Sequence, residues 1–250
     1  MHTTIAWQEN QACDAGFTKH KAIEDQHIRI HLDKIYVGEF DHLIGEHACT
    51  GLQSSEVRLI SPSLRRVNPF YITPVDAGIT CKNSLGEIFH PQSPVKLDMN
   101  EALEVEIKCA AATTTEKTIA AFLAQGGIPP VHGEIFTINA EAIVVCAVDN
   151  WAYKELAFPD SLPVANYDVV GARVHCALGV FFRFVPVGAP YRPGGAVVVD
   201  SNANDPPLQR FGGLGKWFSF NTVQPPGIEI LGTTGSGSTS VEILIDVIKR

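Results

Sequence analysis

Charge, tryptophan and long apolar runs are all scarce in this chain, and each shortage excludes something. Asp, Glu, Lys and Arg make up only 18% of its 250 residues, against roughly a quarter in an ordinary soluble domain. So little charge implies that part of the surface is covered by other copies of the chain. No window approaches the ~18 uninterrupted apolar residues of a membrane-spanning helix. The first ten residues, Met1 to Asn10, lack the basic start and apolar stretch of a secretory leader. The expectation is a chain neither exported by a cleavable signal nor inserted in a bilayer. Basic clusters are limited to Arg65-Arg66 and Lys249-Arg250 against a net charge of −8. Phosphate-backbone binding needs clustered Lys and Arg, so no direct contact with nucleic acid is expected.

Cysteine spacing excludes further chemistry. Cys13, Cys49, Cys81, Cys109, Cys146 and Cys176 contain no Cys-x-x-Cys pair. Cys109, Cys146 and Cys176 fall inside apolar strand-like runs, where a thiol packs as a small hydrophobe. Free, buried thiols in a reducing compartment are the expectation, with some disulfides as the alternative.

Catalytic and metal signatures are also missing. A nucleophile elbow needs Gly-x-Ser-x-Gly between a strand and a helix. The near match Gly235-Ser236-Gly237-Ser238 has no helix after it and reads as a turn. Four of nine histidines, His27, His31, His42 and His47, fall in one stretch. On one strand, His27 and His31 would share a face but stand about 13 Å apart, too far for one ion. Glu104 and Glu106 read as a solvated strand face, and Glu229 with Glu242 lacks the aromatic cleft a glycosidase uses. No catalytic, cofactor-binding or metal-ligating residue is expected, and no cofactor.

What is present is strand signal. His27 to Ile35 alternates polar and apolar residues, the period-2 pattern of a half-buried strand. Leu103–Cys109, Gly133–Val148, Tyr167–Val174, Gly179–Val187 and Trp217–Val223 do the same. Thr114–Gln125 has helix-permitting alanines but is read as a strand, because Ile119, Ala121 and Leu123 alternate. Pro, Gly, Asn and Asp clusters separate these runs.

Gln125-Gly126-Gly127-Ile128-Pro129-Pro130 divides the chain almost in half, since neither regular structure propagates through it. Each half ends alike, with two strands joined through small residues, read as a closing hairpin. Two segments of some 120 residues, each of about eight short strands, match the size of jelly rolls. The expected architecture is all-β with little helix: an N-terminal arm over 1–22, a first β-sandwich over 23–127 and a second over 128–250. The Gly/Pro-rich segment from Val185 to Gly195, continuing through Asp200 to Pro207, is read as an ordered loop against a neighbouring copy. Tyr191, Arg192 and Phe211 are residue types enriched at interfaces.

Leu162-Pro163-Val164-Ala165-Asn166-Tyr167-Asp168-Val169-Val170-Gly171, then Phe182-Arg183-Phe184-Val185-Pro186, Arg192-Pro193-Gly194-Gly195 and Gly213-Leu214-Gly215-Lys216-Trp217-Phe218 resemble major capsid proteins of tailless phages, in particular the double jelly-roll lineage. The resemblance covers roughly Gly133 to Lys249. It implies two jelly rolls side by side, self-assembly as a homotrimer forming a pseudo-hexagonal capsomer, and vertex proteins as further partners. It also implies a place in the virion after assembly in the host cytoplasm, and no enzyme activity. The runner-up is a carbohydrate-binding or adhesive β-sandwich module, which predicts aromatic platforms on an exposed sheet face. Trp7, Trp151 and Trp217 fall in separate segments.

Overall fold

The computed structural model describes residues 1–9, 15–23, 25–50, 54–65, 70–76, 88–110, 117–198, 207–232 and 237–250. Strands dominate, and the α-helical piece Pro62–Arg65 is a single turn. The alternation read in the sequence is the burial pattern of Ala102–Cys109 and Phe136–Cys146, whereas Lys117–Ala124 and Gly179–Val185 are buried on both faces. Phe136–Cys146 buries every second residue from Ile138 onward, as a strand with one wet face must.

The second half contains β12 (Phe136–Cys146), β13 (Ala152–Glu155), β14 (Asn166–Cys176), β15 (Gly179–Val185), β16 (Gly194–Ala196), β17 (Phe218–Asn221), β18 (Gly227–Gly232) and β19 (Gly237–Lys249). One sheet runs β12-β19-β14-β17 and the other β13-β18-β15-β16. Counted along the chain, the first, eighth, third and sixth strands face the second, seventh, fourth and fifth. That order defines a jelly roll.

The first half repeats it. Its strands are β1 (His2–Glu9), β2 (Thr18–Lys19), β3 (Ile30–His31), β4 (Lys34–Tyr36), β5 (His42–Thr50), β6 (Ser54–Ile60), β7 (Phe70–Ile72), β8 (Pro74–Asp76), β9 (Val95–Lys96), β10 (Ala102–Cys109) and β11 (Lys117–Ala124). One sheet is β1-β11-β5 flanked by β8 and β9, and the other is β4-β10-β6-β7 with β3 and β2 added. With β2, β3 and β8 set aside as additions, the order is that of the second half. The protein is thus a double jelly roll, all-β.

The lobes stack face to face. Ile5, Trp7, Leu43, Ala48, Ile119, Ala121 and Leu123 fill the first lobe's own core. Their alternates Ala6, Ile44, Ala120, Phe122 and Ala124 pack into the core of the second lobe. Every residue of β11 is consequently buried, and its alanines let two layers approach it at once. β15 is the matching strand. Phe182 and Phe184 turn inward to Trp217, while Phe181 meets Phe122 and His47 of the first lobe.

Four expectations are corrected. Residues 2–9 are no arm: β1 pairs with β11 from His2↔Ala124 to Glu9↔Lys117, because both of its faces carry buriable side chains. The closing strands are not hairpins. β10 and β11 lie in opposite sheets, as do β18 and β19, so each half ends by crossing from one sheet to the other. The run His27–Ile35 is not one strand. It contains a tight hairpin, Ile30↔Ile35 and His31↔Lys34, whose turn residue Leu32 has φ 58°. Leucine rarely takes that left-handed conformation, so nothing in the residue type marked the turn.

The fourth correction concerns the thiols. Cys49 and Cys109 are disulfide-bonded, whereas Cys146 and Cys176 are free and buried. All four are buried strand residues, and burial of a sulfur reads the same whether it is bonded or free. Cys13 and Cys81 lie outside the described residues.

Candidate functional site

The seam between the lobes holds a buried polar network. Arg183 interrupts the apolar strand Gly179–Val185. Its side chain is 4% exposed and pairs with Asp25 of the first lobe and Glu229 on β18. The guanidinium lies 4.2 Å from the centre of the Trp151 ring and Nη1 donates to the Thr4 carbonyl at 3.3 Å. Buried arginine is rare unless paired, and here both partners and the aromatic face are supplied by separate segments.

Two further clamps cross the same seam. Gln8 donates Nε2 to Thr118 Oγ1 at 2.7 Å and to the Gly232 carbonyl at 2.5 Å, and its Oε1 accepts from Asp149 N at 2.6 Å. Thr4 N donates to the Arg192 carbonyl at 2.8 Å, and Arg192 N donates to Thr3 Oγ1 at 3.0 Å. The loop from Val185 to Gly195, expected against a neighbouring copy, therefore docks on the first lobe of its own chain. Tyr191 is half-buried, Arg192 buried, and Phe211 exposed.

His2 belongs to this seam too. It is buried, with its ring edge-on to Trp217 at 4.9 Å, and Nε2 finds no hydrogen-bond partner among the described residues. Burial above all, with help from the adjacent N-terminal ammonium, pushes its pKa down to about 3. Burial and nearby Lys117 take His20 down to about 4.

The two outward faces of the stack differ. On the first lobe, Glu104 binds Lys19 and Lys34, Glu106 binds Arg58, and Glu56 binds Lys108. The face expected to be merely solvated is a ladder of cross-strand ion pairs. On the second lobe, β12 turns Ile143 and Val145 outward at 65% and 64% exposure. They stand opposite Ser240 and Ser238 of β19.

The residues weighed in the sequence are dispersed. His27 and His31 are exposed, His42 bonds Asp41 at 2.7 Å, and His47 is buried against Phe181. Glu229 faces the seam, while Glu242 stands opposite Glu141 on the other sheet. Gly235 and Ser236 lie outside the described residues, and Gly237 and Ser238 open β19. Arg66 and the Arg65 side chain also lie outside, and Arg250 Nε bonds Asp168 at 2.7 Å. Trp7, Trp151 and Trp217 are all buried, so none forms the exposed platform that a glycan-binding module presents. Among the described residues, no helix is long and apolar enough to cross a membrane.

Arg183 is the seam residue that the sequence reading passed over. Its signal was available: a charge set between phenylalanines in Gly-Val-Phe-Phe-Arg-Phe-Val, where solvent exposure would drag phenylalanines with it.

No family model matches the chain, and no curated protein matches it in sequence. Among solved structures, the major capsid protein P2 from bacteriophage PM2 aligns over 100% of this chain and 98% of its own at 12% identity, with a TM-score of 0.24. The STIV MCP aligns over 99% of this chain and 97% of its own at 10% identity, with a TM-score of 0.27. At those values neither likeness decides what this chain does; the fold stands on its own strand order.

Proposed function

We propose that this chain is the major coat subunit of a tailless icosahedral virus and acts by assembly, not catalysis. The observation that carries the reading is one strand order used twice in a chain whose lobes are fixed by a shared core. Three such chains around an axis present six similar lobes, and closed symmetry of that kind tiles a shell with pseudo-hexagonal units. The contrast between the ion-paired face of the first lobe and the Ile143 and Val145 face of the second supplies two unlike flanks for head-to-tail contact. A charge fraction of 18% is in keeping with flanks covered by neighbours. The disulfides of Cys49 and Cys109 suit a particle that persists outside a reducing host cytoplasm. Vertex proteins would complete such a shell, and the genome would be enclosed without phosphate contacts from this chain.

Light scattering after size-exclusion chromatography tests the reading, with negative-stain images of any large fraction. The expected result is a stable species near three times 27.1 kDa, or particles of regular size. A monomer at every salt and protein concentration would overturn it.

A further inference from the structure

Where the lobes meet beside Arg183, the surface opens into a cleft of about 430 Å³ whose walls include Asp25, His27, Asn150, Tyr153, Arg192 and Glu229. His27, Tyr153 and Arg192 also line a second hollow of about 490 Å³, together with the Val185–Pro190 loop. Each is within the roughly 300–1,000 Å³ of small-ligand pockets.

The cleft gathers cations, carboxylates and an amide in its lining. Arg192 is 6% exposed and donates Nη1 to the carbonyls of Ala189 at 2.7 Å and Tyr191 at 3.1 Å. Among the described residues it has no carboxylate within ion-pair distance, although Glu229 and Asp25 act on it electrostatically, and an unpaired buried arginine is uncommon. Glu229 Oε2 accepts from Arg183 Nε, and Glu229 lines the cleft. Tyr153 is 57% exposed, yet it is held in place. A Cβ on Gly227 would come within 2.2 Å of its ring, so the bare glycine is what lets the ring lie against the neighbouring strand. The formal charges of Arg183, Arg192, Asp25 and Glu229 cancel.

We propose that this cleft binds a neutral sugar residue of a glycan. A pyranose presents hydroxyls that each need a donor and an acceptor, and the cleft alternates guanidinium, amide and carboxylate. Its C–H face is apolar and packs on an aromatic ring, which Tyr153 offers. Cancelling charges give no net pull on an ion, which argues against phosphate or an acidic sugar. This inference stands apart from the assembly reading, since the cleft is formed within one chain.

The test is saturation-transfer NMR on the intact purified protein, followed by titration. The probes are the methyl glycosides of glucose, galactose, mannose and N-acetylglucosamine, with sialic acid as the charged comparison. At least one neutral glycoside is expected to bind with a dissociation constant on the order of 1 mM. Its affinity should change less than about twofold between about 0.05 and 0.5 M salt, because nothing ionic is screened. Tyr153→Ala should weaken it about tenfold or more, about 1.4 kcal/mol, with an unchanged melting temperature, while Tyr153→Phe retains it. Three results would overturn the proposal: no neutral glycoside bound at about 20 mM, binding that survives Tyr153→Ala, or binding of sialic acid alone that salt abolishes.

Discussion

Arg183 puts a full charge at the seam where the two lobes press together. Its Asp25 partner is 4% exposed and its Glu229 partner 16%. Removing one member of a buried ion network leaves the others unpaired in a poor solvent for charge, at a cost of about 3–5 kcal/mol. Arg183→Met is expected to lower the unfolding free energy by that amount in denaturant titration. Adding Asp25→Asn and Glu229→Gln should recover at least half of the loss, since the stranded charges go with them. The histidines set a pH response of definite sign. In the fold, His2 stays neutral until about pH 3 and His20 until about pH 4, whereas both take a proton near pH 6.5 once unfolded. Between those values the unfolded chain binds more protons, so stability rises with pH and is lost as pH falls below about 6.5. At pH 5 the two together should cost about 4 kcal/mol relative to pH 7.5. Melting curves across that range test it: the double variant His2→Gln, His20→Gln must show a flatter profile. The arginine was visible in the sequence as a misfit among phenylalanines. Asp25 was not, because 158 residues separate the two and no local pattern spans that distance.

At the scale of elements, strands were legible and their partnerships were not. Alternation is a local property, and β10, β12, β14, β15 and β17 emerge where it placed them. The strand in Thr114–Gln125 also emerges, as β11, despite its alanines. Which sheet a strand joins depends on contacts far along the chain. That is why the last two strands of each half were read as hairpins and prove to belong to opposite sheets. The double burial of β1 and β11 was hidden for a related reason: small side chains carry no mark of how close the next layer comes. Phe122 on β11 is the largest such seam-facing residue of that strand, meeting Phe89 at 4.6 Å and Phe181 at 6.4 Å between ring centres. Phe122→Ala should cost about 3–5 kcal/mol through lost burial and the cavity left behind. Because the core group around Phe122 runs on into the second lobe, calorimetry should show a single transition moved to lower temperature. Two separated transitions would mean that the lobes unfold independently.

For the whole molecule, size and strand count were enough to suggest two similar halves, and the shared strand order gives that similarity a physical form. The stacking was not readable, because no residue identity between halves announces which face meets which. Nor was the cleft beside Arg183, which is assembled from Asp25, Tyr153, Arg192 and Glu229, segments brought together only by folding. The buried inner face of the first lobe has a consequence for synthesis. Its β1-β11-β5 sheet is complete once residue 124 has left the ribosome, yet the core that Ala6, Ile44, Ala120 and Phe122 join is filled out by residues made later. A nascent chain paused between the lobes carries an open apolar wall, ready to pair with another nascent chain instead of with its own second half. Slow translation through residues 125–180 would therefore divert this protein into aggregates, and chaperone engagement should peak over that interval.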